Sequence, residues 1–410
     1  MIHGLKQGFR IGFLMGLLVL AGCRNPDVEY VDFDTFHVLS VQSSPVFMAD
    51  GSLNPEIRMI EDEEPETKLA YTNHYSILRS FLGEINSNNL IHISGTYSGH
   101  DVDGSPLTLS GRLLLPKDGP VKNILVVCHY TIGSNPEAPS ESFPVEGIWA
   151  AKGYAVVFPD YIGFGVSAQR IHPFLHLEST ARSALDMVLA VKPYLKHIGR
   201  EPESEQVILA GFSQGAASSM TLMEMIQDGY EKVLPVKKVY VAGGVYNLAS
   251  TCDLVLERER AGLPCALPML IQGLNAAENL GLKMSDFFQR DILAHYDEWI
   301  NSKKYTIREI NAMIGTRDLK VIMTDQGRDK NSPAMMTLYK SMQRNSVLRF
   351  TPKAPLYIFH SRQDQIVPFL NAQKAQEWFK DNPNVQYDFG DYSLHGISCC
   401  YFLVKVYKDL

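Results

Sequence analysis

The stretch from Val207 to Met220, VILAGFSQGAASSM, sets a serine between glycines where two patterns meet. Val207 to Ala210 is an unbroken apolar run that predicts a short buried strand, and Gln214 to Met220 predicts the start of a helix. Gly211-Phe212-Ser213-Gln214-Gly215 therefore fits G-x-S-x-G, in which a sharp strand-to-helix turn exposes the serine oxygen and the glycines let neighbouring backbone come close. The free N–H groups and positive dipole end of the helix favour negative charge developing beside that oxygen. The chemistry this permits is attack of a hydroxyl on a carbonyl carbon, with a covalent intermediate. A serine in this place can also be an ordinary N-cap. A nucleophilic role therefore requires an acid, a base and oxyanion donors from the rest of the chain.

Ligands of sheets built from parallel strands sit at the carboxyl ends of the strands, so loops that follow strands are where partners are expected. The loop after the strand pattern Pro355 to Phe359 reads His360-Ser361-Arg362-Gln363-Asp364-Gln365-Ile366-Val367-Pro368. Asp364 is the candidate acid, which would hold a base histidine in the correct tautomer and stabilise its imidazolium form. His395, in Ser393-Leu394-His395-Gly396, follows the last predicted strand and is the candidate base. Two rivals stand beside them: Asp391 for the acid, and His360, also on a strand-end loop, for the base. One oxyanion donor is expected from the backbone N–H of Gln214, directly after the serine. The other is expected from the loop after Asn123 to Cys128, which reads His129-Tyr130-Thr131-Ile132-Gly133, with either Tyr130 or Thr131 as donor.

These motifs together resemble the α/β-hydrolase superfamily, and within it the secretory-lipase and esterase group. The resemblance extends to Pro159-Asp160-Tyr161-Ile162-Gly163-Phe164-Gly165 and His172-Pro173-Phe174-Leu175-His176, and covers roughly residue 90 to the C-terminus. The order Ser213, Asp364, His395 matches the chain order of that superfamily and favours His395 over His360. The resemblance implies an α/β-hydrolase fold, a mostly parallel sheet covered by helices on both faces. It implies hydrolysis of a small-molecule or lipid ester without cofactor or metal. His129 to Gly133 is similar to the H-G-x-x-G oxyanion loop, except that Tyr130 stands where that pattern has glycine, and its bulk is expected to narrow the site. Asp160 and Tyr161 are expected either to support the site from a neighbouring strand end or to make a plain turn. Two other readings use the same residues: a serine peptidase, and a binding protein on an inactive hydrolase scaffold.

The periodicities supply elements to carry these groups. Ile91 to Tyr97 and Leu107 to Leu115 alternate around an Asp103-Gly104 turn and predict a hairpin. Asn123 to Cys128, Tyr154 to Phe158, Val236 to Ala242, Pro355 to Phe359 and Val385 to Phe389 read as core strands. Leu177 to His197 reads as a helix with one buried face. From 248 to 350 the alternation stops and helical signals take over, among them the capping box Thr306 to Glu309 and the helix start Ser332-Pro333. The expected organisation is a hydrolase core of residues 90–247 and 351–410 with a helical cap at 248–350.

With 410 residues, 45% hydrophobic and 20% charged, the chain has ample material for a sizeable core. A net charge of -7 and the lack of a Lys/Arg-rich run argue against a nucleic-acid partner. Lys6 and Arg10 precede the apolar run Ile11 to Leu20, too short for a membrane span, which ends in Leu20-Ala21-Gly22-Cys23. This resembles the lipobox of bacterial lipoproteins. The expectation is a signal peptide at 1–22, lipid on Cys23 anchoring the exported protein to a membrane, and a tether and approach segment at 23–89 that includes the acidic run Glu61 to Glu66. Cys128 is expected to be buried at a strand end, Cys399 and Cys400 to pack in a C-terminal helix, and Cys252 and Cys265 either to pair or to stay free.

Overall fold

The computed structural model describes residues 35–58 and 87–410. Cys23, the stretch expected to be a signal peptide, the acidic run and much of the expected tether lie outside the described residues. Nine strands form one sheet: β1 (Phe36–Pro45), β2 (Asn89–His100), β3 (Pro106–Pro116), β4 (Asn123–Cys128), β5 (Tyr154–Pro159), β6 (Val207–Phe212), β7 (Val236–Ala242), β8 (Leu356–Ser361) and β9 (Val385–Gly390). They lie in the order β1-β2-β3-β5-β4-β6-β7-β8-β9. The first three pair antiparallel, and β3 also runs antiparallel to β5. From β5 to β9 every pairing is parallel. The strands β4, β5 and β6 are buried along their whole length, which is why their sequences NILVVC, YAVVFP and VILAGF are apolar rather than alternating.

The sheet begins earlier than residue 90. Strand β1 pairs with β2 from Phe36↔Tyr97 to Pro45↔Asn89, so part of the segment expected to be tether and approach is an edge strand. One anchor holds it: Phe36 is fully buried with its ring 5.0 Å from that of Tyr194, and it occupies space left by Gly95, where a Cβ would stand 2.5 Å from Phe36 Cζ. The remaining residues of β1 are mostly half-buried or exposed, and a register shift falls between Val38 and Ser40. The period-2 signal is therefore broken at the point where it was needed.

Helices cover both faces. Helix α1 (Leu177–His197) and helix α2 (Gln214–Met225) pack on one face, and the C-terminal helix α8 (His395–Asp409) packs on the other with the 3-10 segment Val145–Lys152. Between β7 and β8 the chain is helical, as its signals predict. The longer helices there are α3 (Leu248–Glu257), α4 (Ala266–Glu278), α5 (Ile307–Ile314) and α6 (Pro333–Arg344), and α7 (Leu370–Trp378) follows β8. The Thr306/Glu309 capping box forms and Ser332 caps α6 through its side chain. One apolar cluster runs from the sheet through Val188 and Met220 into Leu270, Ile310 and Leu338, so this helical stretch is packed onto the core as a continuation of it. Cys252 and Cys265 are not bonded to each other, and the latter is buried.

Candidate active site

Ser213 joins β6 to α2 with φ 58° and ψ -122°, a positive φ that a non-glycine residue adopts only when its surroundings impose it. Its N–H donates to Ala242 O of β7 at 2.9 Å, and its carbonyl accepts from Ala216 N–H at 3.0 Å. The flanking glycines are required by close backbone approach. A Cβ on Gly211 would stand 2.1 Å from Gly215 O, and one on Gly215 would stand 1.8 Å from Cys128 O. The first turn of α2 is thereby seated against the end of β4.

The structure brings Ser213, His395 and Asp364 together from three strand ends. His395 opens α8 with Nε2 2.9 Å from Ser213 Oγ and Nδ1 2.6 Å from Asp364 Oδ2. An ionised carboxylate only accepts, so Nδ1 carries the proton and Nε2 is left to accept from the serine hydroxyl. Asp364 is fixed from behind by the N–H groups of Ile366 and Val367, which donate to Oδ1 at 3.0 and 2.8 Å. Gln365 Oε1 accepts from the His395 backbone N–H at 2.9 Å, and Phe212 lies against the imidazole with centroids 4.7 Å apart. The three side chains are buried yet not sealed, with Ser213 8% exposed. Asp391 is exposed on the loop before His395. His360 is buried behind Asp364, with its Nε2 3.0 Å from Val367 O.

On the oxyanion side, Thr131 lines the same cavity as Ser213 and Gln214. The Tyr130 ring instead packs in the apolar cluster on the other sheet face, among residues that include Val127, Ile148 and Trp149, and does not narrow the cavity. A glycine is therefore unnecessary at this position: the side chain points into core. Tyr161, at φ 66°, stacks on His129 with centroids 4.0 Å apart and donates from its hydroxyl to His129 O at 3.3 Å, which braces the loop. Asp160 does not touch the triad. Its carboxylate accepts from Ser110 Oγ at 2.6 Å and Ser140 N–H at 2.8 Å, with burial pushing its pKa up, so it ties the loop following Thr131 to the sheet.

His172 has a place in the site that its local sequence does not specify. Its Nδ1–H donates to Ile162 O at 2.8 Å, and its Nε2 stands 3.2 Å from Gln214 Nε2 as acceptor. Burial, with Lys303 nearby, pushes His172 down to about 3, and burial pushes His129 down to about 4. Both rings are thus neutral near pH 7, and His172 can keep an accepting nitrogen on the Gln214 amide. The only signal in the sequence was the position of His172 after the Pro159 to Gly165 turn.

The cavity beside Ser213 has a volume of about 110 Å³. Thr131, Ser213 and Gln214 are among its lining residues. Its walls are apolar: Phe174 and Leu175 on the core side, Leu248, Val255, Leu267 and Leu270 from α3 and α4, and Ile366 and Val367 from the acid loop. Helix α3 enters at once after β7, so the helical stretch supplies most of the wall. No group of three or more His, Cys, Asp or Glu among the described residues is placed to hold a metal ion.

A mostly parallel sheet, a strained serine between β6 and α2, and an aspartate and a histidine brought to it from later strand ends define an α/β-hydrolase. The solved structures agree. The fold is similar to that of the rice cell wall degrading esterase LipA from Xanthomonas oryzae, with TM-score 0.70, 22% identity, and coverage of 82% of this chain and 94% of that one. It is also similar to Candida antarctica lipase A in its closed state, with TM-score 0.59, 17% identity and 78% of each chain covered. By sequence, a secreted triacylglycerol lipase of Malassezia furfur is 27% identical over 256 residues, a match spanning 60% of this chain and 62% of that relative's length. Residues 147–396, more than half of the chain, match the secretory lipase family. The protein belongs to that family.

Proposed function

We propose that the protein hydrolyses carboxylic esters through an acyl-enzyme on Ser213. The observation that carries this reading is the continuous hydrogen-bond chain Ser213–His395–Asp364 opening onto an apolar cavity. His395 takes the serine proton as Oγ attacks the carbonyl, and the negative charge forming on the carbonyl oxygen is met by the N–H of Gln214 and of Thr131. Removing one such donor elsewhere costs roughly 3 kcal/mol of transition-state stabilisation. His395 then protonates the departing alcohol, and a water activated by the same nitrogen releases the acid.

The acid part of the substrate is an apolar acyl chain, because the side chains lining the cavity beyond Thr131, Ser213 and Gln214 are hydrocarbon apart from Thr251 and Cys252. Its small volume favours short chains. With p-nitrophenyl esters, the butyrate is expected to turn over faster than the palmitate, and aminoacyl p-nitroanilides are expected to be poor substrates. A palmitate preference would overturn the short-chain assignment, and an anilide preference would replace the esterase reading with a peptidase. The second part of the reading is export with a lipid on Cys23. The secreted relative supports export alone, and the lipid rests on the Leu20-Ala21-Gly22-Cys23 sequence; such a lipid would bring the cavity to a membrane surface carrying ester substrates. Cys23→Ala is expected to move the protein from the membrane to the soluble fraction; retention in the membrane would count against the anchor.

A further inference from the structure

We propose that His360, which takes no proton in the reaction, is a positioning residue that holds the Asp364 carboxylate in place for His395. Three observations carry this. First, His360 closes the turn that grips the acid. Its Nε2 is 3.0 Å from Val367 O, and the N–H of that same Val367 is 2.8 Å from Asp364 Oδ1. A carbonyl can only accept, so Nε2 carries the hydrogen. Second, the same nitrogen lies 3.6 Å from Asp364 Oδ2, the oxygen that accepts from His395 Nδ1 at 2.6 Å. The Nε2–H group thus lies beside the carboxylate while it is held on the Val367 carbonyl. Third, the next residue along β8 fixes the base: Ser361 Oγ donates to Ser393 O at 2.6 Å, two residues before His395. The end of β8 therefore sets the acid turn and the base loop at once.

The ring is fully buried and Nδ1 has no partner among the described residues, so a proton there would have no acceptor. Phe369 covers it edge-on, with centroids 5.9 Å apart. The titratable groups that face it are Asp364 and, beyond it, His395. Tyr246 faces Asp364, and the Arg362 guanidinium lies over the Phe369 ring. Burial pushes His360 below the usual histidine range, against the pull of Asp364. A charged His360 would set a second cation on the one carboxylate and compete with the imidazolium of His395. Kept neutral, it lends a dipole and leaves the charge of Asp364 to the base.

The test compares pH profiles of kcat/KM on p-nitrophenyl butyrate for the parent, H360F and H360Q, with thermal unfolding measured alongside. In H360F the carboxylate loses a neighbouring dipole and acts more strongly on His395. The acid limb is expected to move to higher pH by about half a unit, and misalignment is expected to lower kcat roughly tenfold with KM nearly unchanged. H360Q keeps a side-chain N–H and is expected to restore both. An H360F protein with reduced stability but the parental acid limb would overturn the proposal and leave His360 a packing residue. If H360F does not fold, nitrogen-15 histidine spectra of the parent decide. A neutral Nε2–H tautomer from about pH 5 to 8 supports the proposal, and a cation or an Nδ1–H tautomer in that range overturns it. The proposal rests on the triad reading. A folded parent with no ester turnover would sink that reading, while the spectra would still decide the state of His360.

Discussion

Ser213→Ala is expected to lower ester turnover by a factor of about 10⁴ to 10⁶ while leaving the unfolding temperature nearly unchanged. The size follows from the geometry, because the Oγ whose hydroxyl donates to His395 Nε2 at 2.9 Å is the atom that would bond to the acyl carbon. What survives in the variant is binding in the cavity and the two backbone donors, which elsewhere give a residual rate well above water. The fold should tolerate the change. Alanine at φ 58° carries the same backbone strain as serine, the bonds of residue 213 to Ala242 and Ala216 are made by its backbone, and one neutral hydrogen bond is lost, worth about 1 kcal/mol. Turnover of p-nitrophenyl butyrate and a thermal melt on one preparation check both halves. Activity within tenfold of the parent would remove Ser213 from the mechanism.

Asp364→Asn is expected to cost about 10⁴ in kcat with KM nearly unchanged. The two oxygens of Asp364 do different work. Oδ1 accepts from the N–H groups of Ile366 and Val367, and Oδ2 accepts from His395 Nδ1–H. An asparagine must keep its carbonyl oxygen toward the two backbone donors, which turns its NH₂ toward His395. Donor then faces donor unless the imidazole changes tautomer. A proton moved to Nε2 leaves that nitrogen unable to accept from Ser213. Initial-rate kinetics of the variant check this; a kcat within tenfold of the parent would mean that the carboxylate is not what orients the base.

How much of this site could be read from the sequence depended on whether the signal was local. The Ser213 elbow is a pentapeptide flanked by a strand and a helix that both form; Asp364 follows the buried apolar strand β8, and His395 follows β9, an edge strand in which Val385, Tyr387 and Phe389 alternate with polar residues. The helical insertion announced itself through caps at Thr306 and Ser332. What was not legible depends on contacts between distant residues. The bond between His172 and Gln214 joins residues 42 apart in sequence, and nothing at either position specifies the other. The placement of Tyr130 depended on which sheet face its side chain enters, a matter settled by the cluster around Trp149. Strand β1 was missed because a single buried phenylalanine, accommodated by Gly95 on the neighbouring strand, does what an alternating pattern usually does. Asp160, quoted for its motif, proved to hold a loop rather than the triad.

If Ser213 Oγ is the atom that carries the acyl group, a reagent that bonds to activated serines will find it. The protein would be treated with a fluorophosphonate, which transfers its phosphorus to an activated serine, and the adduct located by peptide mass mapping. A single phosphonyl group is expected on the peptide carrying Ser213, with loss of ester turnover in step with labelling and no adduct in the Ser213→Ala protein. An active preparation that takes up no label, or takes it on another residue, would contradict Ser213 as the nucleophile.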